Sequence, residues 1–415
     1  MRIIAVTALF LAGCNKPNPH YCDPVNNSDC PPQPCSTSSG TCVCKNPPGV
    51  CVMCTSMEHD TCKGKTPTCG ADNVCHACRM NDDCDSGACL EDGQCADKNK
   101  VIYAAPSGVN NPGCGTTEGQ NECSITQAIM ELGSRTVIRL GPGTYTVSGP
   151  DGLDFNGKNA TVVARGAIVK NLGGAIMTAR QGGSLKLIGG TLQGANNADG
   201  LRCNTGGKLQ VHETMIENMT QSGIETDSCE LTVWRATLRG NLDGGLSMLN
   251  TPKIASIVNN FVYRNGSNTS VVGGMNVQLA AGSALEFNTV VSNAANTNSG
   301  SSGGVTCNDN NSGQNRPGNL IYRNQGGLGG TVQIIGTCMF VNSYVMAAGA
   351  IDENVVGFVE PNATNPDFHL SHASPSGTIL DKLPCSGPED IDGDPRPQPT
   401  GGMCDFGADE YREGQ

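Results

Sequence analysis

A phrase that recurs every 23 to 31 residues constrains the fold of this chain more than any other feature. An apolar pair is followed closely by an asparagine and then by glycines, as in "LIYRNQGGLGGT" from Leu320 to Thr331. Alternating apolar residues precede each copy, and no helical spacing accompanies them. Repeats of 20–50 residues are typical of solenoids. Three short strands per repeat therefore predict an all-β solenoid.

Five asparagines are predicted to line one corner of this solenoid. Each turn of such a fold buries its apolar residues only by stacking on neighbours about 4.8 Å away. Asparagine tolerates the left-handed conformation of a sharp corner, and stacked side-chain amides bond between turns. We expect this ladder to contain Asn218, Asn241, Asn265, Asn293 and Asn324.

The first fourteen residues, "MRIIAVTALFLAGC", indicate export. A basic residue precedes a short apolar run of signal-peptide length, too short to span a bilayer. The ending Leu-Ala-Gly-Cys resembles the bacterial lipobox. That resemblance implies acylation of Cys14 and a lipid anchor in the cell envelope, on the periplasmic or outward face of the outer membrane. A plain secretory signal is the alternative.

Cysteine usage agrees with an oxidising compartment. The chain has 23 cysteines, so 22 remain without Cys14, an even number that predicts disulfides. Fourteen lie between Cys22 and Cys95 in repeated four-cysteine units that lack large apolar residues. These units resemble the Cys-rich repeats of secreted bacterial surface proteins, and the resemblance implies a stalk. Their connectivity stays open, except that Cys44 and Cys51 are expected to pair around "KNPPGV".

A zinc ribbon competes with disulfides in this region. Two Cys-x2-Cys pairs, Cys51/Cys54 and Cys75/Cys78, have the appropriate separation. Zinc, however, would leave the intervening cysteines without partners, so we favour disulfides. Beyond the stalk, the other cysteines form couples about one turn apart or closer, within disulfide reach: Cys114/Cys123, Cys203/Cys229, Cys307/Cys338 and Cys385/Cys404.

The region after the stalk resembles a known solenoid family. Ser124 and Gln127 form a capping box for a short helix, followed by the β-rich "TVIRLGPGTYTV" and the asparagine phrases. This order is similar to the right-handed parallel β-helix of the pectate-lyase-like family, with its capping helix. We therefore expect four parts: a signal and lipobox (1–14), a stalk (15–97), a β-helix (98–360) and a C-terminal cap (361–415).

The tail from Asn365 to Tyr411 also resembles a family pattern. It contains "DFHL", "SP", "DIDGDPRP" and "DFGADE", which resemble the C-terminal cap of choice-of-anchor Q surface proteins. The acids of "DIDGD" are candidate Ca²⁺ ligands, although the glycine position differs from that of an EF-hand. A self-bonded turn is the alternative to a Ca²⁺ site formed by Asp390, Asp392 and Asp394.

An active site is a second possibility along the predicted β-helix. The resemblance to lyases implies that such a site would consist of acids at comparable positions of successive turns. Two carboxylates there could bind a cation or act as the acid/base pair of a glycosidase. The alternative is that these residues lie in solvated turns. The candidates, with two nearby arginines, are Asp199, Glu225, Asp227, Asp243, Arg202 and Arg239.

The composition limits which classes of binding partner can be expected. The net charge is −12 and no basic stripe is present, so nucleic acid is not expected. We expect a monomeric, membrane-anchored, non-catalytic scaffold that contacts polysaccharide or another envelope protein and needs no cofactor. A polysaccharide lyase or glycoside hydrolase is the alternative.

Overall fold

The computed structural model describes residues 43–45, 50–52, 62, 64, 66–69, 74–194, 199–298, 300–310, 314–347, 355–384, 389–398 and 401–412. The chain divides into two compact units, with the division between Ala96 and Asp97. Among the described residues, no helix is long and apolar enough to cross a bilayer.

The second unit is a right-handed parallel β-helix built from three sheets. Neighbouring strands of each sheet are parallel and belong to consecutive turns. Sheet A consists of Gly143–Val147, Ala167–Asn171, Thr191–Gln193, Met215–Glu217, Thr237–Arg239, Phe261–Tyr263, Thr289–Val291, Leu320–Tyr322 and Tyr344–Val345. Sheet B consists of Leu153–Asn156, Met177–Arg180, Leu201–Asn204, Ile224–Asp227, Leu246–Leu249, Met275–Leu279, Val305–Asp309 and Ile334–Gly336. Sheet C consists of Val101–Val109, Val137–Leu140, Asn159–Val163, Ser184–Ile188, Lys208–His212, Glu230–Trp234, Ala255–Val258 and Ala284–Glu286.

The core lies inside this coil because alternate side chains of every strand point inward. On sheet C, Leu185, Leu209 and Leu231 stack in register and are buried. Ile254 differs from expectation: it precedes its strand and is 54% exposed, whereas Ala255 and Ile257 fill the interior. The predicted helix is present at Ile125–Met130, and Ser124 accepts a hydrogen bond from the Gln127 backbone N–H.

Stacked asparagines line the corner between sheets A and B. The Asn241 amide donates to Asn265, which donates to Asn293, which in turn donates to Asn324, at 2.8–3.0 Å. Asn324 donates to Gln333. This group is called the first ladder below.

Asn218 is not part of the first ladder. It is exposed and has a φ of 57°. The next residue, Met219, holds the ladder position of its turn, because its N–H donates to the Asn241 side chain just as the Asn241 N–H donates to Asn265. The left-handed residue in later turns likewise precedes the asparagine, as at Arg264 and Arg323. The buried asparagine itself therefore does not supply the left-handed bend.

A second ladder, which the sequence analysis missed, lines the corner between sheets C and A. Asn260 donates to Asn288 at 2.9 Å, and Asn288 donates to Asn319 at 3.0 Å. All three side chains are buried. Their spacings of 28 and 31 residues match those of the first ladder and could have revealed them.

Glycines next to the first ladder allow the turns to approach closely. A Cβ atom on Gly245 would lie 2.7 Å from the carbonyl oxygen of Gly274 and 3.0 Å from the Asn265 amide nitrogen. Gly223 has the same relation to Gly245 and Asn241. Any larger residue here would push neighbouring turns apart, which explains the glycines of the repeated phrase.

The first unit contains small disulfide-bonded loops. Disulfides join Cys62 to Cys75, Cys78 to Cys89 and Cys84 to Cys95. Because Cys75 and Cys78 are bonded to other cysteines, the zinc-ribbon alternative is wrong. Strands Val43–Lys45 and Val50–Val52 pair antiparallel with Cys44 opposite Cys51, and strands Thr68–Cys69 and Cys75–His76 form a second hairpin.

Three predicted couples are disulfides of the β-helix unit. The bonds join Cys114 to Cys123, Cys203 to Cys229 and Cys307 to Cys338. Cys203 and Cys307 point inward from sheet B, and each partner lies about one turn further along the chain. Cys404 is disulfide-bonded, but Cys385 lies outside the described residues.

The C-terminal segment (residues 355–384, 389–398 and 401–412) packs along the outer face of sheet A rather than following the coil. Its antiparallel strands Phe358–Glu360 and Asp367–Leu370 bring Phe368 to 4.9 Å from Tyr263, measured between ring centroids. The outward residues of sheet A become aromatic where this segment covers them. Thr237 and Arg239 of one turn are aligned with the buried rings of Phe261 and Tyr263 in the next. The segment is therefore a lateral cover for the later turns.

Candidate functional site

The outer face of sheet B brings most of the predicted acids and one of the two predicted arginines together. Strand register aligns Asp154, Thr178, Arg202, Glu225 and Ser247 in one column across five consecutive turns. Since adjacent strands lie about 4.8 Å apart, neighbouring side chains of this column contact one another. The column runs along the outside of the solenoid.

At the centre of this column, the partly exposed Arg202 forms an ion pair with the buried Asp199. The Asp199 carboxylate lies 2.5 Å from Arg202 and accepts a hydrogen bond from the Ser222 N–H at 3.0 Å. Burial raises the pKa of Asp199, although the bond to Arg202 opposes the shift. Arg202 also lies 3.9 Å from Glu225.

Glu225 is the more accessible acid of this group. Burial raises the pKa of its carboxyl group, and the negative charges of Asp199 and Asp243 add to the shift. A carboxyl group with a raised pKa beside a second carboxylate has the property that a general acid needs.

The other candidates lie further out or elsewhere. Asp243 is exposed, and Asp227, in the neighbouring column, accepts a hydrogen bond from Ser228 at 2.9 Å. Arg239 does not belong to this site: it lies on sheet A and forms an ion pair with Glu217 at 2.5 Å. The predicted grouping of Arg239 with the acids is therefore wrong.

One further charge cluster on sheet B was not predicted. Arg180 bonds Asp154 at 2.5 Å and lies 3.4 Å from Asp151. Like Arg202, it is thus already paired with carboxylates. Neither arginine is an isolated base.

Beyond Glu225, the outer face of sheet B becomes predominantly polar and uncharged. Two columns continue in register through later turns, and the side-chain amides in them make no hydrogen bond to another described residue. Their partly exposed members are Asn276, Gln278, Thr306 and Asn308. We call these four residues the amide stripe.

A concavity of about 410 Å³ lies beside sheet A. Its lining includes Thr191, Met215 and Thr237, together with the charged pair Glu213 and Arg235. Glu213 lies 3.2 Å from Arg235, which also contacts Glu389 of the C-terminal segment at 3.0 Å. These contacts attach the C-terminal segment to the coil.

The predicted Ca²⁺ ligands do not converge on one point. Asp390 is buried and accepts backbone hydrogen bonds from Asp392 and Asp394 at 3.0 and 2.8 Å. Asp394 pairs with Arg412 at 2.9 Å, and Asp392 faces His369 at 3.1 Å. This arrangement favours the self-bonded turn for Asp390 over a shared Ca²⁺ site.

Other acids of the tail pattern also hold backbone groups. The Asp405 carboxylate accepts from the Asp381 and Tyr411 N–H groups at 2.8 Å, and Glu410 accepts from Gln398 and Asp405. Burial raises the pKa of Asp405 to about 7, and the charge of Glu410 adds to the shift. These acids stabilise the segment.

His369 lies among three acids that sequence reasoning did not group. Its Nδ1 atom lies 2.5 Å from Asp367, and Asp409 is buried nearby. Burial favours the neutral ring, but the carboxylates of Asp392, Asp409 and Asp367 outweigh it and raise the pKa of His369 to about 10. Burial likewise raises the pKa of Asp409 to about 7.

Comparisons with known proteins bear on parts of the chain. Residues 12–101 match the model of a family of unknown function, DUF8331, and no curated protein matches. Among solved structures, the chain is similar to the crystal structure of pectate lyase Pel9A, at 16% sequence identity and a TM-score of 0.41. That similarity covers 75% of this chain and 96% of the other. It concerns the fold alone.

Proposed function

We propose that this protein is a non-catalytic scaffold of the bacterial cell envelope. In this proposal Cys14 carries the lipid anchor, the Cys-rich region is the stalk, and the β-helix presents sheet B to polysaccharide. The six disulfides described above support an oxidising compartment. An envelope protein in place of polysaccharide is the other partner to be tested.

The amide stripe carries this proposal. Its side chains are partly exposed, uncharged and free of hydrogen bonds to other described residues, and they repeat with the 4.8 Å spacing of the strands. Polysaccharide hydroxyls are suitable partners for such a row of donors and acceptors. On the charged half of the same face, both arginines are already held by carboxylates, which supports recognition rather than β-elimination.

Binding of the purified protein to a panel of neutral and acidic polysaccharides tests the proposal. We expect Asn276→Ala with Gln278→Ala to weaken binding at least tenfold. The matched control, Gln210→Ala with Thr232→Ala, removes two outward residues of sheet C and should leave binding unchanged. Equal loss in both double variants, or no binding to any glycan, would contradict polysaccharide recognition. Binding of an envelope protein instead would support the alternative partner.

Membrane attachment is tested separately. Wild-type protein should incorporate labelled fatty acid and sediment with membranes, whereas Cys14→Ala should do neither. Lipid incorporation into the Cys14→Ala variant would refute anchoring at that residue.

A polysaccharide lyase or glycoside hydrolase is the second candidate, favoured by the raised pKa of Glu225 beside Asp199 and Asp243. Release of reducing or unsaturated ends from the same panel, abolished by Glu225→Gln with Asp243→Asn, would establish it. No release by the wild-type protein would leave the non-catalytic proposal standing.

A further inference from the structure

The His369 cluster joins three separate parts of the C-terminal segment. His369 lies in the strand Asp367–Leu370, Asp392 lies in the turn after Asp390, and Asp409 belongs to the final pattern "DFGADE". One ligand-type atom from each of His369, Asp392 and Asp409 lies within 4.8 Å of the other two.

The imidazole of His369 directs its two ring nitrogens toward different carboxylates. The Nδ1 atom of His369 faces Asp367 at 2.5 Å, which leaves Nε2 directed at the other two acids. Nε2 is shielded from solvent and lacks a hydrogen bond of good geometry, although Asp392 Oδ2 lies 3.1 Å away. The buried Asp409 carboxylate is fixed on one side by the Leu370 N–H at 2.6 Å.

This arrangement matches the chemistry of a transition-metal ligand set. A metal-bound histidine almost always donates its other ring N–H to a carboxylate, the role that Asp367 has here. One imidazole nitrogen with two carboxylate oxygens suits Zn²⁺, which then takes water as its fourth ligand. Ca²⁺ prefers six to eight oxygens, so this donor set disfavours it.

We propose that His369, Asp392 and Asp409 form a Zn²⁺ site that fastens the C-terminal segment. Asp392 is half-exposed, so its side chain is free to rotate and bring the three donors to a common centre. Binding would tie the strand, the turn and the end of the segment together. The ion's role is structural, because its ligands come from three separate parts of the C-terminal segment and Asp409 is buried.

Zinc titration of the full chain, stripped with EDTA and desalted, tests the site. Calorimetry should show one equivalent of Zn²⁺ bound that Ca²⁺ does not displace. At zinc concentrations near one hundred times Kd, the thermal unfolding midpoint should rise by about 4 °C. Co²⁺ should give the visible absorption of a four- or five-coordinate ion.

Matched variants identify the ligands. His369→Ala and Asp392→Asn should each abolish this binding equivalent and the midpoint shift, and Asp392→Asn removes only a half-exposed carboxylate, so it should remain folded. His372→Ala, an exposed histidine three residues further along, should bind zinc like the wild-type chain. Absence of zinc binding would show that a proton alone occupies the cluster and would overturn the proposal. Zinc binding that persists in both ligand variants would overturn it equally, as adventitious binding elsewhere.

Discussion

Removal of one amide from the first ladder gives the sharpest test of how this solenoid is held together. Asn293 is 1% exposed. Its side chain accepts hydrogen bonds from the backbone and side-chain N–H groups of Asn265 at 2.9 and 3.0 Å, and donates to Val262 and Asn324 at 2.9 Å each. Asn293→Ala deletes all four bonds at once.

The expected loss follows from these bonds. Each contributes about 1 kcal/mol net, and a buried group left without a partner costs about 1–3 kcal/mol. We therefore expect Asn293→Ala to lower the free energy of unfolding by about 4 kcal/mol, measured by urea denaturation with disulfides intact. Asn293→Leu should remain comparably destabilised because it restores volume but none of the hydrogen bonds.

Asn218 provides the control. It is exposed and adopts a left-handed backbone conformation, which glycine also adopts without strain, so Asn218→Gly should change stability by less than about 0.5 kcal/mol. If Asn293→Leu is as stable as the wild-type protein, packing rather than hydrogen bonding stabilises the corner. If Asn293→Ala costs no more than Asn218→Gly, the ladder does not stabilise the fold.

Three further predictions concern the disulfides, the glycines and the buried acids. Cys203→Ala with Cys229→Ala opens a loop of 26 residues and should lower the free energy of unfolding by about 3.5 kcal/mol; reducing agent should then have a smaller effect on the variant than on the wild-type protein. Gly245→Ala places a methyl group 2.7 Å from the Gly274 carbonyl oxygen and should lower the free energy of unfolding by about 1–3 kcal/mol. Gly282 has open space around it but a φ of +82°, so Gly282→Ala should lower it by only about 1 kcal/mol. Burial raises the folded-state pKa of Asp405 from the ordinary 3.8 to about 7, so its stabilising contribution is full below pH 4 and is lost as the pH rises through 7. The loss is on the order of 4 kcal/mol, and Asp405→Asn should flatten the measured pH dependence between 4 and 7; an unchanged slope would refute this assignment.

Some of the molecule could be predicted from local pattern. The repeated apolar pairs predict strands on which side chains alternate between the interior and solvent, and the period predicts that each turn stacks on the next. The position of Asn293 in the first ladder follows from that period. Asn218 was misplaced by one residue because the left-handed position and the ladder position are adjacent in sequence and both accept asparagine.

Contacts between distant segments could not be predicted in this way. Arg235 and Glu389 are 154 residues apart, and no periodicity relates them. The pairing of Arg202 with Asp199 and the separation of Arg239 from those acids depend on which sheet each strand joins. The lateral position of the C-terminal segment likewise follows from the fit of its aromatic side chains to Phe261 and Tyr263.

By itself, therefore, the sequence determined the coil. Each repeat of about 25 residues specifies which of its side chains point inward and which point outward, and its strands pair with those of the next repeat at a fixed distance. Only the tertiary structure decided which charges pair, which turns of sheet B carry the amide stripe, and that His369 meets Asp392 and Asp409. Those outcomes depend on the energy of contacts between segments that the repeat does not relate.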